Sequence, residues 1–316
     1  MPDLIALGET MVLLTPALPG PLEEAPQFLR SMGGAESNVA IGAARLGTSV
    51  GWISRLGKDP FGSYIVKRIR GEGVDTSRVR FDASYPTAVM FKEIKGTGNP
   101  QVFFYRKGSA FSRIKPEDLD ESYISQARIL HITGIAPALS PSSRETIYAA
   151  VKIAKKHGVK ISLDPNIRLK LWAIEEARQV LLDLASYSDY FLPGEDELKL
   201  LFDTEDRSVW IRRMQQMGLP CTVAKLGAEG CMVIDEQGCR PIAGFPVDRV
   251  VDTVGAGDGF AAGFLHSVIQ GLSVDESARI GNAVGARCVT IMGDMEGLPT
   301  GEELEQFMGH KVQIER

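Results

Sequence analysis

The residues best placed to do chemistry form the run Asp252-Thr253-Val254-Gly255-Ala256-Gly257-Asp258-Gly259-Phe260-Ala261-Ala262-Gly263. Small residues at Gly255–Gly257 let a ligand approach the main chain closely. The stretch that follows reads as a helix running to about Gln270 and ended by Gly271. A helix N-terminus carries unpaired N–H groups and a partial positive charge, and together these make a site for phosphate. Asp258 stands in the first turn, beside that site. A carboxylate there can take the proton of an incoming hydroxyl while the N–H groups hold a transferring phosphoryl group. The plainer alternative is a tight loop with Asp258 as a helix-start residue.

Three other places have suitable chemistry, each with a plain alternative. Gly33-Gly34 precedes a helix, where paired glycines supply a hinge or a close backbone approach. Asn38, one turn on, can bond a ligand hydroxyl or simply face solvent. Asp164-Pro165-Asn166-Ile167-Arg168 ends a strand, and the Arg168 guanidinium can grip a carboxylate or a phosphate with two N–H groups. It can equally pair with Glu175 or Glu176 on the surface. Lys225-Leu226-Gly227-Ala228-Glu229-Gly230 reads either as a ligand loop, with Lys225 reaching a phosphate, or as an ordinary turn between strands.

These residues must be positioned by a scaffold. Short apolar runs at Leu4–Leu7, Val50–Ser54, Ile129–Thr133, Lys160–Leu163, Tyr190–Leu192 and Thr222–Lys225 read as strands. They alternate with helical patterns at Glu36–Leu46, Phe61–Gly71, Ser142–His157, Glu175–Ala185, Glu195–Phe202 and Val209–Met217. That alternation implies a parallel sheet covered on both faces by helices, with ligands at the carboxyl ends of the strands. Two stretches break it. Thr10–Arg30 is Pro-rich and reads as irregular. Tyr85–Arg106 reads as two extended runs, Thr87–Ile94 and Gln101–Tyr105, joined by the turn Gly96–Pro100. A projecting hairpin over the carboxyl edge is a natural lid, and also a natural surface or subunit contact.

Composition narrows the function classes. The 316 residues carry 35 Lys+Arg against 40 Asp+Glu, a formal charge of −5, which argues against a nucleic-acid binder. Four cysteines without a C-x-x-C pair do not make a disulfide framework and favour a reduced, cytoplasmic setting. No apolar run reaches the ~20 residues of a membrane span, and the N-terminus does not read as a signal peptide.

D-T-x-G-A-G-D at 252–258 resembles the carboxy-terminal signature of the ribokinase-like (PfkB) carbohydrate kinases. Gly33-Gly34-Ala35-Glu36-Ser37-Asn38-Val39-Ala40, Arg45-Leu46-Gly47 and Gly57-Lys58-Asp59-Pro60-Phe61-Gly62 resemble the amino-terminal signature, in order. The resemblance covers essentially the full length. It implies a three-layer α/β/α domain with a mainly parallel central sheet and a small β-sheet lid, the lid from 10–34 and 85–113 and the main domain from 1–9, 35–84 and 114–316. It implies transfer of the ATP γ-phosphoryl group to a sugar hydroxyl, with Asp258 as base and the main chain of Gly255, Ala256 and Gly257 as anion hole. Substrate contacts are expected from Gly33, Gly34, Asn38, Tyr105, Arg106 and Arg168, and nucleotide contacts from Lys225, Gly227, Gly230, Gly255, Gly257 and Asn282. Glu197 matches an acid that organises Mg2+ through water, although Gly194 replaces the usual Asn, and K+ is a further expected ion. A homo-oligomer through the lid is expected, with Val89, Phe91 and Phe103 on its outer face.

Phe103-Phe104-Tyr105-Arg106-Lys107-Gly108-Ser109-Ala110 and His131-Ile132-Thr133-Gly134-Ile135-Ala136-Pro137-Ala138-Leu139-Ser140 resemble segments of 2-keto-3-deoxygluconate kinases. A cation on the lid, Arg106, would select the carboxylate of an acid sugar over neutral sugars. Met90 and Phe104 stand where those kinases often have Tyr, and Tyr105 compensates if it faces inward. A fructokinase or other ketohexose kinase is the alternative, and a catalytically silent sugar or nucleotide binder is a third reading.

Overall fold

The computed structural model describes residues 1–93 and 101–309. Thirteen strands are present among them: β1 Leu4–Leu7, β2 Met11–Pro16, β3 Phe28–Gly33, β4 Val50–Gly57, β5 Val79–Asp82, β6 Val89–Glu93, β7 Gln101–Tyr105, β8 Ile129–Thr133, β9 Lys160–Asp164, β10 Tyr190–Phe191, β11 Cys221–Lys225, β12 Gly230–Asp235 and β13 Gly238–Ala243. Nine form one sheet in the order β13-β12-β11-β10-β9-β8-β1-β4-β5. Pairing is parallel from β11 to β5 and antiparallel only for β12 and β13. The central strands β1 and β8 are buried along their whole length. Helices cover both of their faces, which is why they read as continuous runs rather than alternating ones.

The core divides accordingly. On one face Val39, Ile41, Phe260, Phe264 and Val284 pack together, from the helices Ala35–Arg45, Ala256–Ile269 and Val274–Cys288. On the other face Ile147, Leu181, Leu184, Leu198 and Trp210 do the same, from the helices Pro141–Lys156, Ile174–Ser186, Glu195–Phe202 and Arg207–Met217. Gly42 sits where a Cβ would come within 2.7 Å of Ala262, so the two helices meet closely on the first face.

The remaining four strands form a separate small sheet, β3-β2-β6-β7. β2 pairs antiparallel with β3 and parallel with β6, and β6 pairs antiparallel with β7. Its inner face has its own cluster of Met11, Leu13, Ala88 and Met90. The irregular reading of Thr10–Arg30 is therefore corrected. The segment holds β2 and most of β3, its prolines lying at the end of β2 (Pro16) or in the connection between the strands (Pro19, Pro21, Pro26), where no ladder N–H is needed. The two extended runs of Tyr85–Arg106 are β6 and β7, and the turn assigned to Gly96–Pro100 lies outside the described residues. β5 and β13 carry no counterpart in the sequence reading, and β12 is implied there only by the reading of Lys225–Gly230 as a turn between strands.

Candidate active site

A cleft of about 440 Å³ lies where the carboxyl ends of β1, β9 and β11 face the inner side of the small sheet. Its floor is the start of the helix Ala256–Ile269, capped by Gly255 at φ 79°. That left-handed φ favours glycine. A Cβ at Gly255 would also sit 2.4 Å from the Asp294 carbonyl oxygen, so the turn has no room for a side chain. The N–H groups of Gly255 and Gly257 have no acceptor among the described residues, whereas Ala256 N–H points back to Thr253 O at 3.4 Å. Of the three residues expected to form an anion hole, Gly255 and Gly257 border the cleft and Ala256 does not.

Asp258 opens onto the cleft from the first helical turn. Desolvation pushes its carboxyl up to about 7, opposed by the hydrogen bond from Asn38 and by Lys225 and Arg168, and reinforced by Asp164. A carboxylate poised near neutrality suits proton abstraction from a hydroxyl. Asn38 Nδ2 donates to Asp258 Oδ2 at 2.8 Å. Asn38 was expected on a sugar hydroxyl; its Nδ2 bonds Asp258, while Asn38 also borders the cleft and its buried Oδ1 has no hydrogen-bond partner among the described residues. Beneath them Glu36 is fully buried, accepts from Thr133 Oγ1 at 2.6 Å, and is pushed up to about 7 by burial.

Gly33 and Gly34 join β3 to the helix Ala35–Arg45 and border the cleft. A Cβ on Gly34 would lie 2.4 Å from the Glu9 carbonyl oxygen, and one on Gly33 2.1 Å from Asp294 Oδ2. Close approach of neighbouring chain explains both glycines.

Arg106 follows β7 and reaches the cleft, but not as a free cation. Its Nε and Nη2 donate to Glu9 Oε2 at 2.8 and 2.6 Å, both residues are buried, and Ser109 Oγ donates to Glu9 Oε1. Arg106, the cation expected on the lid, has a partner: a buried guanidinium needs a counter-charge, and Glu9 provides it. Nη1 has no hydrogen bond among the described residues. The expectation for Tyr105 is corrected. Alternation along β7 sends it outward, 67% exposed and edge-on to Phe91, while Phe104 and Met90 face the cleft. Arg168 borders the cleft and makes no ion pair among the described residues; Glu176 pairs with Arg144 instead.

On the opposite wall Lys225 Nζ donates to Asp164 Oδ2 at 2.5 Å. Burial alone would lower the lysine, but Asp164 and Glu197 outweigh it and hold it above its usual range. Lys225 Nζ lies 3.5 Å from where a Cβ on Gly257 would be, beside the anion-hole turn. Glu197 borders the cleft with both oxygens occupied by main chain, Oε1 by Ile167 N–H and Oε2 by Gly194 N–H, each at 2.8 Å. Burial and Asp164 raise its carboxyl. Three residues expected at the nucleotide do not border this cleft. Gly227 (φ 59°) lies in the turn after β11. Gly230 (φ 103°) opens β12, where a Cβ would meet Ile242 O at 2.2 Å. Asn282 donates Nδ2 to the carbonyls of Ile242 and Ala243, both at 3.1 Å, and so ties its helix to β13.

The family model for pfkB family carbohydrate kinases matches residues 1–301. The chain belongs to the pfkB family of carbohydrate kinases. It is 40% identical over 309 residues to a 2-dehydro-3-deoxygluconokinase of Bacillus subtilis (strain 168), covering 97% of this chain and 95% of that one. It is 33% identical to probable fructokinase-7 of Arabidopsis thaliana, covering 96% and 92%. A putative Ribokinase II from E.coli, solved in complex with ATP and Mg2+, superposes with a TM-score of 0.90 at 26% identity, covering 98% of this chain and all of that one.

Asp164 and Glu197 are carboxylates on one wall of the cleft. No group of three or more metal-ligating side chains is present among the described residues, and Mg2+ commonly keeps its waters and takes few protein ligands. Sequence reasoning gave no role to Glu9, Lys92 or Asp294; Glu9 and Lys92 are buried at the site, and Asp294 borders it. The signal for Lys92 was present: it shares the inward alternation of β6 with Met90, an odd place for a lysine unless it has a partner. No helix among the described residues is long and apolar enough to cross a membrane.

Proposed function

We propose that the kinase transfers the γ-phosphoryl group of ATP to the terminal hydroxyl of 2-keto-3-deoxygluconate, giving the 6-phosphate. The observation that carries this reading is that two guanidinium groups, Arg106 after the lid strand and Arg168 after β9, border the same cleft as the poised carboxylate of Asp258. An acid sugar offers both a carboxylate for the guanidinium groups and a hydroxyl for the base. Asp258 takes the hydroxyl proton, the oxygen forms a bond to the γ-phosphorus, and the bond to the bridging oxygen breaks to release ADP. The N–H groups of Gly255 and Gly257 and the Lys225 ammonium face the charge on the transferring group. Asp164 and Glu197 would hold Mg2+, the latter through water, and the metal when bound neutralises the phosphate oxygens. The higher identity to a 2-dehydro-3-deoxygluconokinase than to a fructokinase supports the choice of sugar. One observation favours a neutral ketohexose as the second reading: Glu9 already neutralises Arg106.

The outer face of the small sheet exposes Phe28, Phe103 and Tyr105 beside Phe91. A second copy of the chain is the proposed occupant. The test of function is product analysis. Incubation with 2-keto-3-deoxygluconate, ATP and Mg2+ should give a phosphomonoester whose proton-coupled phosphorus signal is a triplet, as a CH2–O–P group requires. No product with this sugar, alongside turnover of fructose, would replace the first reading by the second.

A further inference from the structure

The motif that carries the base also contains Asp252, to which the proposed reaction gives no role. Asp252 heads the turn of anion-hole residues and is the point on which that turn hangs. Its Oδ1 accepts Val254 N–H at 3.1 Å, and its Oδ2 accepts Gly293 N–H at 3.3 Å. Its Oδ2 also accepts Lys92 Nζ at 2.6 Å, with both side chains 5% exposed. Lys92 belongs to β6, so this buried ion pair joins the small sheet to the loop that shapes the phosphate site. Asp294 adds a second carboxyl that interacts with the same ammonium, and its main chain packs against Gly255.

We propose that Lys92 is a positioning residue whose ammonium serves as a tethered monovalent cation, holding the Asp252–Gly255 turn in shape for the transferring phosphoryl group. A buried carboxylate requires a partner charge, and an ammonium is a compact point charge on a flexible stem. The expectation of K+ is met differently here, because the carboxylate that heads the turn is already neutralised by the chain itself. The small sheet thereby senses the phosphate site. Lifting β6 away strips Asp252 of its counter-charge, so the turn is correctly held only while the sheet is down over the cleft. The inference rests on the carbohydrate-kinase assignment but not on which sugar is used.

The test uses whichever sugar the wild-type enzyme phosphorylates. Wild-type turnover should be the same in KCl and in tetramethylammonium chloride at equal ionic strength. Lys92→Ala should lose about ten- to a hundredfold in kcat, the value of a charged hydrogen bond that matters, with a smaller change in the KM for sugar. Added ammonium or K+ should restore a measurable part of that loss, and tetramethylammonium, too large for the vacated space, should not. If Lys92→Ala fails to fold by circular dichroism, the double variant Lys92→Met, Asp252→Asn removes both charges. It should fold, turn over slowly and ignore ammonium. The proposal is overturned by a wild-type enzyme that requires K+, by full kcat in Lys92→Ala or in the double variant, or by equal rescue with tetramethylammonium.

Discussion

Asn38 Nδ2 lies 2.8 Å from Asp258 Oδ2, joining residues 220 positions apart in the chain. The amide donates to the carboxylate and so favours its charged form. It works against desolvation, the larger effect, which has pushed Asp258 up to about 7. The first helix after the small sheet thus sets the basicity of a group on the helix that carries the anion hole.

That relationship fixes a pH dependence. The base must be ionised, so kcat/KM should fall about tenfold per pH unit below a limb near 7. Asn38→Ala removes a bond to the charged form, and the limb should move to higher pH, by about one unit for a bond of ~1.5 kcal/mol. Activity lost at pH 6.5 should then be largely regained at pH 8.5. A limb that stays in place in the variant would separate the observed titration from Asp258.

Asp258→Asn should keep the fold and nucleotide binding, because the side chain lines the cleft rather than the core. Phosphoryl transfer should drop by ~10²–10⁴-fold, since an amide cannot accept the hydroxyl proton. Single-turnover rates measured beside ATP affinity decide the matter. A folded variant with near wild-type turnover removes Asp258 from the role of base.

Arg106→Ala alone strands a buried Glu9, and breaking such a pair by removing one partner costs ~3–5 kcal/mol of stability. The informative variant is Arg106→Ala with Glu9→Gln. It should melt closer to wild type than the single variant, and its kcat/KM should fall about ten- to a hundredfold on an acid sugar but only a few-fold on fructose. Equal losses on both sugars would assign Arg106 to support of the small sheet.

The central sheet was legible because buried parallel strands and amphipathic helices leave separate periodicities in the chain. The strand runs at Leu4–Leu7 and Ile129–Thr133 coincide with β1 and β8. β2 and β3 were hidden by the prolines around them, which local reading takes as a sign of irregular chain although they stand at the end of β2 or between the two strands. At the site, Asp258 and the glycine turn could be read from one contiguous motif. The partners of Asn38, Arg106, Lys92 and Lys225 could not, since each pairs with a residue at least 61 positions away. A charge's type can be read locally, but whether it is free or already neutralised depends on which strand end the fold brings beside it. Glu9 is the clearest instance: it follows β1, and only the arrival of the small sheet places Arg106 on it.

The central claim is that this carbohydrate kinase acts on an acid sugar, and the wild-type ratio of kcat/KM for 2-keto-3-deoxygluconate over fructose tests it most directly. The two should be measured by ADP release under one set of conditions. A carboxylate read by a guanidinium group through a charged hydrogen bond of ~1.5–3 kcal/mol predicts a ratio of at least about ten in favour of the acid sugar. A ratio at or below one would contradict the claim and identify the cleft of Arg106 and Arg168 as a neutral-ketohexose site.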